Sequence, residues 1–313
     1  MKYRKYTTGI IDVSEIGIGA WQLGQNTGWD EVKESEAIDM VYQALDKGIN
    51  FFDTAPNYGL GTSEERLGKA LKSIDRQKVV INTKFGHTVN GTTNFSPDHI
   101  RESLEGSLRR LDMDYVDSLI IHNPPSNHFD GSKYGHYEIL DTLKAEGKIK
   151  AYGASLDTYQ DLQLLLSTTN SKVVEVFFNI LHQDVRRGFE EAKAKDVALI
   201  VKVPLDSGWL SGKYNAESTF SGIRSRWSHE DIKIRAEIVE DIKGIVGINN
   251  KLVNQALAYC LGYEAISTVI PGSLKKEQLE TNLESIHTKM SSVTLKKLEA
   301  LYEEKIKPLR IPW

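Results

Sequence analysis

Short apolar runs, rich in Val and Ile and mostly without alternation, recur along the whole chain. They fall at 14–21 (SEIGIGAW), 49–55 (INFFDTA), 79–85 (VVINTKF), 116–122 (VDSLIIH), 148–155 (KIKAYGAS), 173–181 (VVEVFFNIL), 197–204 (VALIVKVP) and 265–272 (AISTVIPG). Runs of this kind suit parallel strands buried on both faces. Helical periodicity fills the gaps. The segment 35–48 places Ile38, Val41, Tyr42 and Leu45 on one face and ends on Gly48. The segment 96–111 has Ser96 at the N-cap position and Pro97 at the first helical position. Segments 137–148 and 187–196 follow the same rule. Eight strand–helix units predict an α/β fold, a (β/α)8 TIM barrel forming a single domain over residues 1–313. Its active site would lie at the C-terminal strand ends. A six-stranded doubly wound sheet is the competing architecture.

The glycines weigh against that competitor. Gly17 and Gly19 look like the start of a dinucleotide fingerprint, but the third position is Gln22, Gly24 comes too late, and no helix pattern opens there. A tight turn at the end of the first strand explains them better. A stronger phosphate candidate is VIPGSLKKEQLETNLE (269–284). There a strand meets Pro271, and Gly272 and Ser273 lead into a helix with Leu279 and Leu283 on one face. Backbone N–H groups at a helix N-terminus attract anions, and Lys275 and Lys276 add charge in the same turn. The loop after the eighth strand of a barrel is a common phosphate site. An ordinary capped helix with solvated lysines is the alternative.

Composition narrows the class without changing the fold. The chain has 313 residues, 40% hydrophobic and 26% charged, with 39 basic and 43 acidic side chains for a net charge of −4. That balance gives no electrostatic reason to expect nucleic acid or an anionic membrane. A lone cysteine, Cys260, rules out an internal disulfide framework and a multi-cysteine metal site, and suits a reducing cytoplasm. No apolar stretch reaches the roughly 18 residues of a membrane span, and the N-terminus lacks a signal-peptide core.

The strand ends carry the chemistry. The first run ends near Trp21, the second at Asp53 with Tyr58 on its loop, the third at Lys84, the fourth at His122 and the fifth at Ser155. Singly, each has a mundane explanation. Together they put an acid, a phenol, an amine and an imidazole on one rim. A phenol with a pKa of about 10 serves as a general acid more effectively if a nearby ammonium lowers that value. The ammonium in turn needs a carboxylate in a dry pocket. Asp53 is therefore expected to hold Lys84, Lys84 to tune Tyr58, and His122 to orient a substrate oxygen by donating to it.

With these residues the chain resembles the aldo-keto reductase superfamily. The matching stretches are GIGAWQLG, FFDTAPNYGLGTSEERLGKAL, INTKFG, RESLEGSLRRLDMDYVDSLIIHNP, GKIKAYGAS, VPLDSGWLSGKY and IPGSLKKEQLETNL, spread in family order over residues 17–282. The resemblance implies a (β/α)8 barrel that reduces aldehydes and ketones, with NADP(H) as the expected cofactor and NAD(H) as the alternative. It implies an Asp53–Tyr58–Lys84–His122 catalytic tetrad and a substrate pocket lined by Trp21. It places Ser155 at the nicotinamide amide, Leu205 and Ser207 at the pyrophosphate, and Gly272, Ser273, Lys275, Lys276, Gln278 and Asn282 around the adenosine phosphate.

Departures from the family pattern are specific. Leu156 stands where many members have Asn, Glu175 where many have a carboxamide-binding Gln, and Lys202 where an aromatic stacks on the nicotinamide. Gln278 replaces an arginine common in NADPH-preferring members, leaving Lys275 and Lys276 to meet a 2′-phosphate as point charges. A regulatory barrel that binds the cofactor with little turnover is the main rival function. A metal-dependent hydrolase ranks lower, because the first strand has no histidine and no metal site is expected. The segments 124–138, 214–230 and 307–313 are polar and aromatic. They are compatible with a sugar or another polyhydroxylated carbonyl compound as the small-molecule substrate.

Overall fold

The computed structural model describes residues 1–25 and 31–312. Its eight parallel strands are β1 (Ile18–Gly19), β2 (Phe51–Asp53), β3 (Val80–Phe85), β4 (Val116–Ile121), β5 (Ile149–Leu156), β6 (Val173–Phe177), β7 (Ala198–Lys202) and β8 (Ile266–Val269). Each pairs with its sequence neighbour in a single ordered sheet. Parallel bridges Ile16–Val269 and Gly19–Gly272 join the first strand to the last and close the barrel. Helices pack outside it, among them α1 (Glu34–Asp46), α2 (Thr62–Leu71), α3 (Pro97–Leu111), α4 (His136–Ala145), α5 (Tyr159–Thr168), α6 (Phe189–Ala194), α7 (His229–Val246), α8 (Leu252–Leu261), α9 (Lys276–Glu284) and α10 (Ser292–Leu301).

Several strands are shorter than their apolar runs. The first contracts to Ile18–Gly19, and one 3₁₀ turn (Ala20–Leu23) does open after it. Gly17 and Gly19 serve close approach rather than a turn. A Cβ at Gly17 would sit 2.7 Å from the Phe51 ring, and one at Gly19 would sit 3.0 Å from the Ile270 carbonyl. The sixth strand stops at Phe177, because the Asn179 side chain accepts from Leu181 and His182 backbone N–H groups and forms a tight turn. The seventh stops at Lys202, before Val203 turns left-handed at φ 52°. Ser96 occupies the N-cap position of α3, but its side chain makes no capping bond, leaving Pro97 as the start signal.

Two apolar layers result. The larger fills the space between strands and helices. The smaller lies inside the barrel and contains Tyr6, Val13, Phe51, Val80, Ile120, Ala151, Val173, Ala198, Ile200 and Ile270. Strand side chains alternate in direction, so these inward positions share their face with Asn82, Lys84, Ser118, Glu175 and Lys202. An antiparallel hairpin of Tyr3–Arg4 and Val13–Ser14 crosses the N-terminal end of the barrel. Asn50 holds one side of it by donating to Asp12 O at 2.8 Å. Asp196 holds the other by accepting from Thr8 Oγ1 at 2.6 Å.

Gly153 tests this packing. A Cβ there would lie 1.7 Å from the Val173 carbonyl, so Gly153→Ala must push β5 from β6. We expect a loss of about 3 kcal/mol or more in urea unfolding, the upper end for overpacking a core. Wild-type stability would contradict the close strand approach.

Candidate active site

At the C-terminal strand ends, Lys84 is fully buried. Its ammonium lies 2.6 and 2.7 Å from the two Asp53 carboxylate oxygens and donates to the Thr54 carbonyl at 3.0 Å. Register brings these groups together, since Asp53 on β2 faces Asn82 on β3, two residues before Lys84. Asn82 Nδ2 also donates to Asp53 Oδ1 at 2.7 Å. A second carboxylate, Glu175 on β6, approaches Lys84 to 3.1 Å. Glu175, which the sequence assigned to the cofactor amide, joins the Lys84 cluster in the fold, and its Oε1 also lies 3.4 Å from Ser155 Oγ.

Two carboxylates around one ammonium shape the local electrostatics. Burial pulls the Lys84 pKa down, but Asp53 and Glu175 together lift it above the usual lysine range. Burial, then Glu175, pushes Asp53 above the ordinary carboxylate range, with Lys84 opposing. The Tyr58 ring centre is 5.1 Å from the ammonium. Burial raises the phenol, Lys84 lowers it, and Asp53 and Glu175 raise it again, leaving it above its ordinary value. The expectation of a lowered phenol is thus corrected. Lys84 acts in the anticipated direction, but desolvation outweighs it.

Tyr58 is held by its loop. Its carbonyl accepts from Ser63 N at 3.2 Å, and Gly59 follows in a left-handed conformation at φ 60°. The glycine is required, because a Cβ would meet Gln25 N at 2.4 Å. Trp21 stacks on Tyr58 at 5.9 Å between ring centres, and His122 meets it edge-on at 5.7 Å. His122 is buried, and its Nδ1 has no hydrogen-bond partner among the described residues. Burial, then Lys84, His87 and Lys202, depresses its pKa well below 6.5, so the imidazole is neutral at physiological pH.

The remaining candidates form three groups. Ser155 Oγ donates to Asn123 Oδ1 at 2.7 Å. Lys202 Nζ reaches Asn123 Oδ1 at 2.5 Å, Ser155 Oγ at 2.9 Å and Asp157 Oδ1 at 2.8 Å. Three acceptors for three protons make Lys202 a clamp on Ser155 rather than a stacking platform. Leu205 and Ser207 lie on the loop after β7, where Asp206, Ser207 and Gly208 all have positive φ. Ser207 receives Arg224 Nε on its carbonyl at 2.8 Å and Arg226 on its hydroxyl at 3.0 Å. After β8, Gly272 packs on Gln22, and buried Ser273 accepts from Asn282 Nδ2 at 3.0 Å. The Gln278 amide oxygen accepts from Leu274 N and Lys275 N at 2.7 and 3.1 Å, so this side chain caps α9. Lys275 and Lys276 are exposed at that helix start.

Sequence reasoning missed Asn82, Asn123, Arg224 and Arg226. Asn123 carried a signal, since it directly follows His122 and takes φ 44°, a conformation asparagine tolerates better than most residues. Of the proposed substrate segments, 214–230 turns its aromatics on itself. Tyr214, Phe220 and Trp227 pack against buried Trp209. Trp313, at the end of segment 307–313, lies outside the described residues.

A closed parallel barrel with these groups on its C-terminal rim defines a class, and comparison with known proteins agrees. The aldo/keto reductase family profile matches residues 15–303, and the chain belongs to that family. It is 27% identical to the NADH-specific methylglyoxal reductase of Escherichia coli, over 93% of this chain and 95% of that one. It is 30% identical to L-galactose dehydrogenase of Arabidopsis thaliana, over 94% and 92%. The holo form of aldo-keto reductase AKR11C1 from Bacillus halodurans superimposes with a TM-score of 0.81 at 26% identity, covering 98% and 99% of the two chains. The family comprises oxidoreductases that interconvert small carbonyl compounds and alcohols with nicotinamide cofactors. Among the described residues no helix is long and apolar enough to cross a membrane.

The depressed His122 pKa has a measurable consequence. The unfolded chain binds this proton near pH 6.5 and the folded chain only well below it. Stability from His122 is therefore complete above pH 6.5 and falls as pH drops below it, by up to about 1.4 kcal/mol per pH unit. Urea unfolding between pH 5 and 7 should show His122→Asn with a shallower slope by about one proton. An unchanged slope would mean that the folded imidazole titrates normally.

Proposed function

We propose that the chain is a nicotinamide-dependent oxidoreductase that reduces an aldehyde or ketone to the alcohol, or runs the reverse, with Tyr58 as general acid–base. The observation that carries this is the buried Asp53–Lys84 pair set against Tyr58, with neutral His122 at its edge. The cofactor, when bound, supplies a hydride to the carbonyl carbon. Tyr58 gives its proton to the carbonyl oxygen, and takes it back in oxidation. Lys84 stabilises the phenolate that this leaves, which a phenol raised by burial otherwise resists. Neutral His122 donates one N–H to the same oxygen and orients it. Trp21, stacked on Tyr58, walls the pocket.

The donor set fits a dinucleotide. Arg224 and Arg226 meet the left-handed turn around Ser207, where a pyrophosphate would be met by cationic side chains and backbone N–H groups. Ser155, clamped by Lys202 and Asn123, and Glu175 beside it line the place for the carboxamide. Gly272, Ser273 and Asn282 shape the adenosine side. Lys275 and Lys276 are exposed at the start of α9, where point charges could meet a 2′-phosphate, and this favours NADP(H) over NAD(H). The NADH-specific relative keeps the opposite preference as the competing outcome. Substrates named for the relatives, a sugar and a small dicarbonyl, direct a carbonyl panel toward polyhydroxylated and short reactive carbonyl compounds.

Nicotinamide absorbance followed across that panel tests the function. Binding of either cofactor without turnover of any carbonyl would favour the regulatory alternative. Tyr58→Phe keeps the ring and removes the proton. It should bind cofactor within a few-fold of wild type and lose at least about 10²-fold in kcat. Near-normal turnover would remove Tyr58 from the mechanism.

The cofactor preference has its own test. Replacing Lys275 and Lys276 together by alanine should weaken NADPH about tenfold, the scale of exposed charge contacts, and leave NADH nearly unchanged. Equal weakening of both would place the two lysines away from the 2′-phosphate.

A further inference from the structure

Asp53 has a third neighbour that the proposed mechanism does not use. Asn82 Nδ2 donates to its Oδ1 at 2.7 Å. Asn82 Oδ1 accepts from Ser118 Oγ at 2.6 Å, and Ser118 Oγ lies 2.8 Å from the Tyr6 hydroxyl. All four residues are buried. The chain runs inside the barrel from the N-terminal segment that closes its floor to the catalytic rim. Strand register builds it, because Asp53 faces Asn82 and Asn82 faces Ser118.

The chain has one consistent direction. Ser118 has a single hydroxyl proton, and it goes to Asn82 Oδ1. Tyr6 must then be the donor to Ser118. The reverse arrangement would send the Ser118 proton to Tyr6 and turn the Asn82 carbonyl oxygen toward a carboxylate, which is repulsive. By donating at the floor, Tyr6 fixes the serine proton. The serine fixes the amide orientation, and the amide presents N–H to Asp53. Burial makes each link consequential, since an unpaired polar group in such surroundings is costly.

We propose that Asn82, Ser118 and Tyr6 are positioning residues: a directed hydrogen-bond chain from the barrel floor that keeps the Asp53 carboxylate ionised and turned to Lys84. This rests on the reaction proposed above. The charged and titratable groups facing Asp53 are Lys84 from β3, Glu175 from β6, Tyr58 from its own loop, and Tyr6 from the floor. Glu175 favours protonation of Asp53, while Lys84 and the Asn82 amide oppose it. Removing the amide donor therefore raises the pH at which Asp53 takes up a proton and releases its hold on Lys84.

The test is the acidic limb of the kcat/KM pH profile, together with a ¹³C-carboxyl NMR titration of Asp53 in protein without cofactor. Asn82→Leu should move both upward by about one pH unit, the scale of one hydrogen bond to a charged group. Ser118→Ala and Tyr6→Phe should move them in the same direction by less. Adding Tyr6→Phe to Asn82→Leu should produce no further shift, because the chain is already cut. If Asn82→Leu fails to fold, Ser118→Ala and the near-isosteric Tyr6→Phe decide the matter. An unmoved Asp53 titration in these two variants overturns the proposal, whatever happens to their melting temperatures. Should Tyr58→Phe prove fully active, the reaction assignment fails by itself, while the NMR titration still reports on the chain.

Discussion

An ammonium with no exposed surface governs the architecture of the rim. Lys84 cannot stay charged inside the barrel without counter-charge, because desolvation alone drives a buried lysine toward neutrality. Asp53 supplies that counter-charge through both oxygens, and Glu175 supplies more from the far side of the barrel. Removing one partner of such a cluster strands the other, a loss of several kcal/mol in comparable buried pairs. The strand ends are therefore fixed in relative position by an electrostatic requirement. Tyr58 and His122 lie beside the same cluster, and its ammonium adds to burial in lowering the His122 pKa and opposes burial at Tyr58.

Much of this was legible from sequence, and the physical reason is periodicity. Continuous Val- and Ile-rich runs identify strands buried on both faces, and a polar residue ending such a run is conspicuous. Asp53, Lys84 and His122 stood out in this way, and the structure brings them together with Tyr58. The segment TSEERLG, specific to the family pattern, has a structural use. Buried Glu64 joins α2 to α3 through Arg110 at 2.7 Å, and Arg66 holds the Leu23 carbonyl at 2.5 Å, fixing the loop that carries Trp21.

What was not legible depends on register across the barrel. Glu175 reads as a substitution at a cofactor position because sequence gives no distance from β6 to β3. Lys202 reads as a failed stacking residue until its three acceptors, from three different loops and strands, are in place. Asn82 and Ser118 read only as polar interruptions within apolar runs. Only strand pairing shows them facing each other and Asp53. The helix-capping use of Gln278 was hidden for a different reason. A glutamine three residues into a helix fits a cap and a ligand contact equally well, and hydrogen-bond geometry separates them.

The polar interior also bears on why a barrel would tolerate it. Apolar residues of similar volume at Asn82 and Ser118 would avoid the burial of three polar side-chain atoms and would suit the surrounding layer of Val80, Ile120 and Phe51. They would also leave Asp53 with Lys84 as its only strong favourable neighbour, against Glu175 and the desolvation of the site. A rim that places two carboxylates around one ammonium has more negative charge than it can pair, and every donor aimed at Asp53 reduces that imbalance. Glu175 and the Asn82 donor thus act on the same carboxylate in opposite senses. The ionisation of Asp53 is set by their difference rather than by either one, so a change at the barrel floor and a change on β6 are predicted to be felt at the same buried lysine, Lys84.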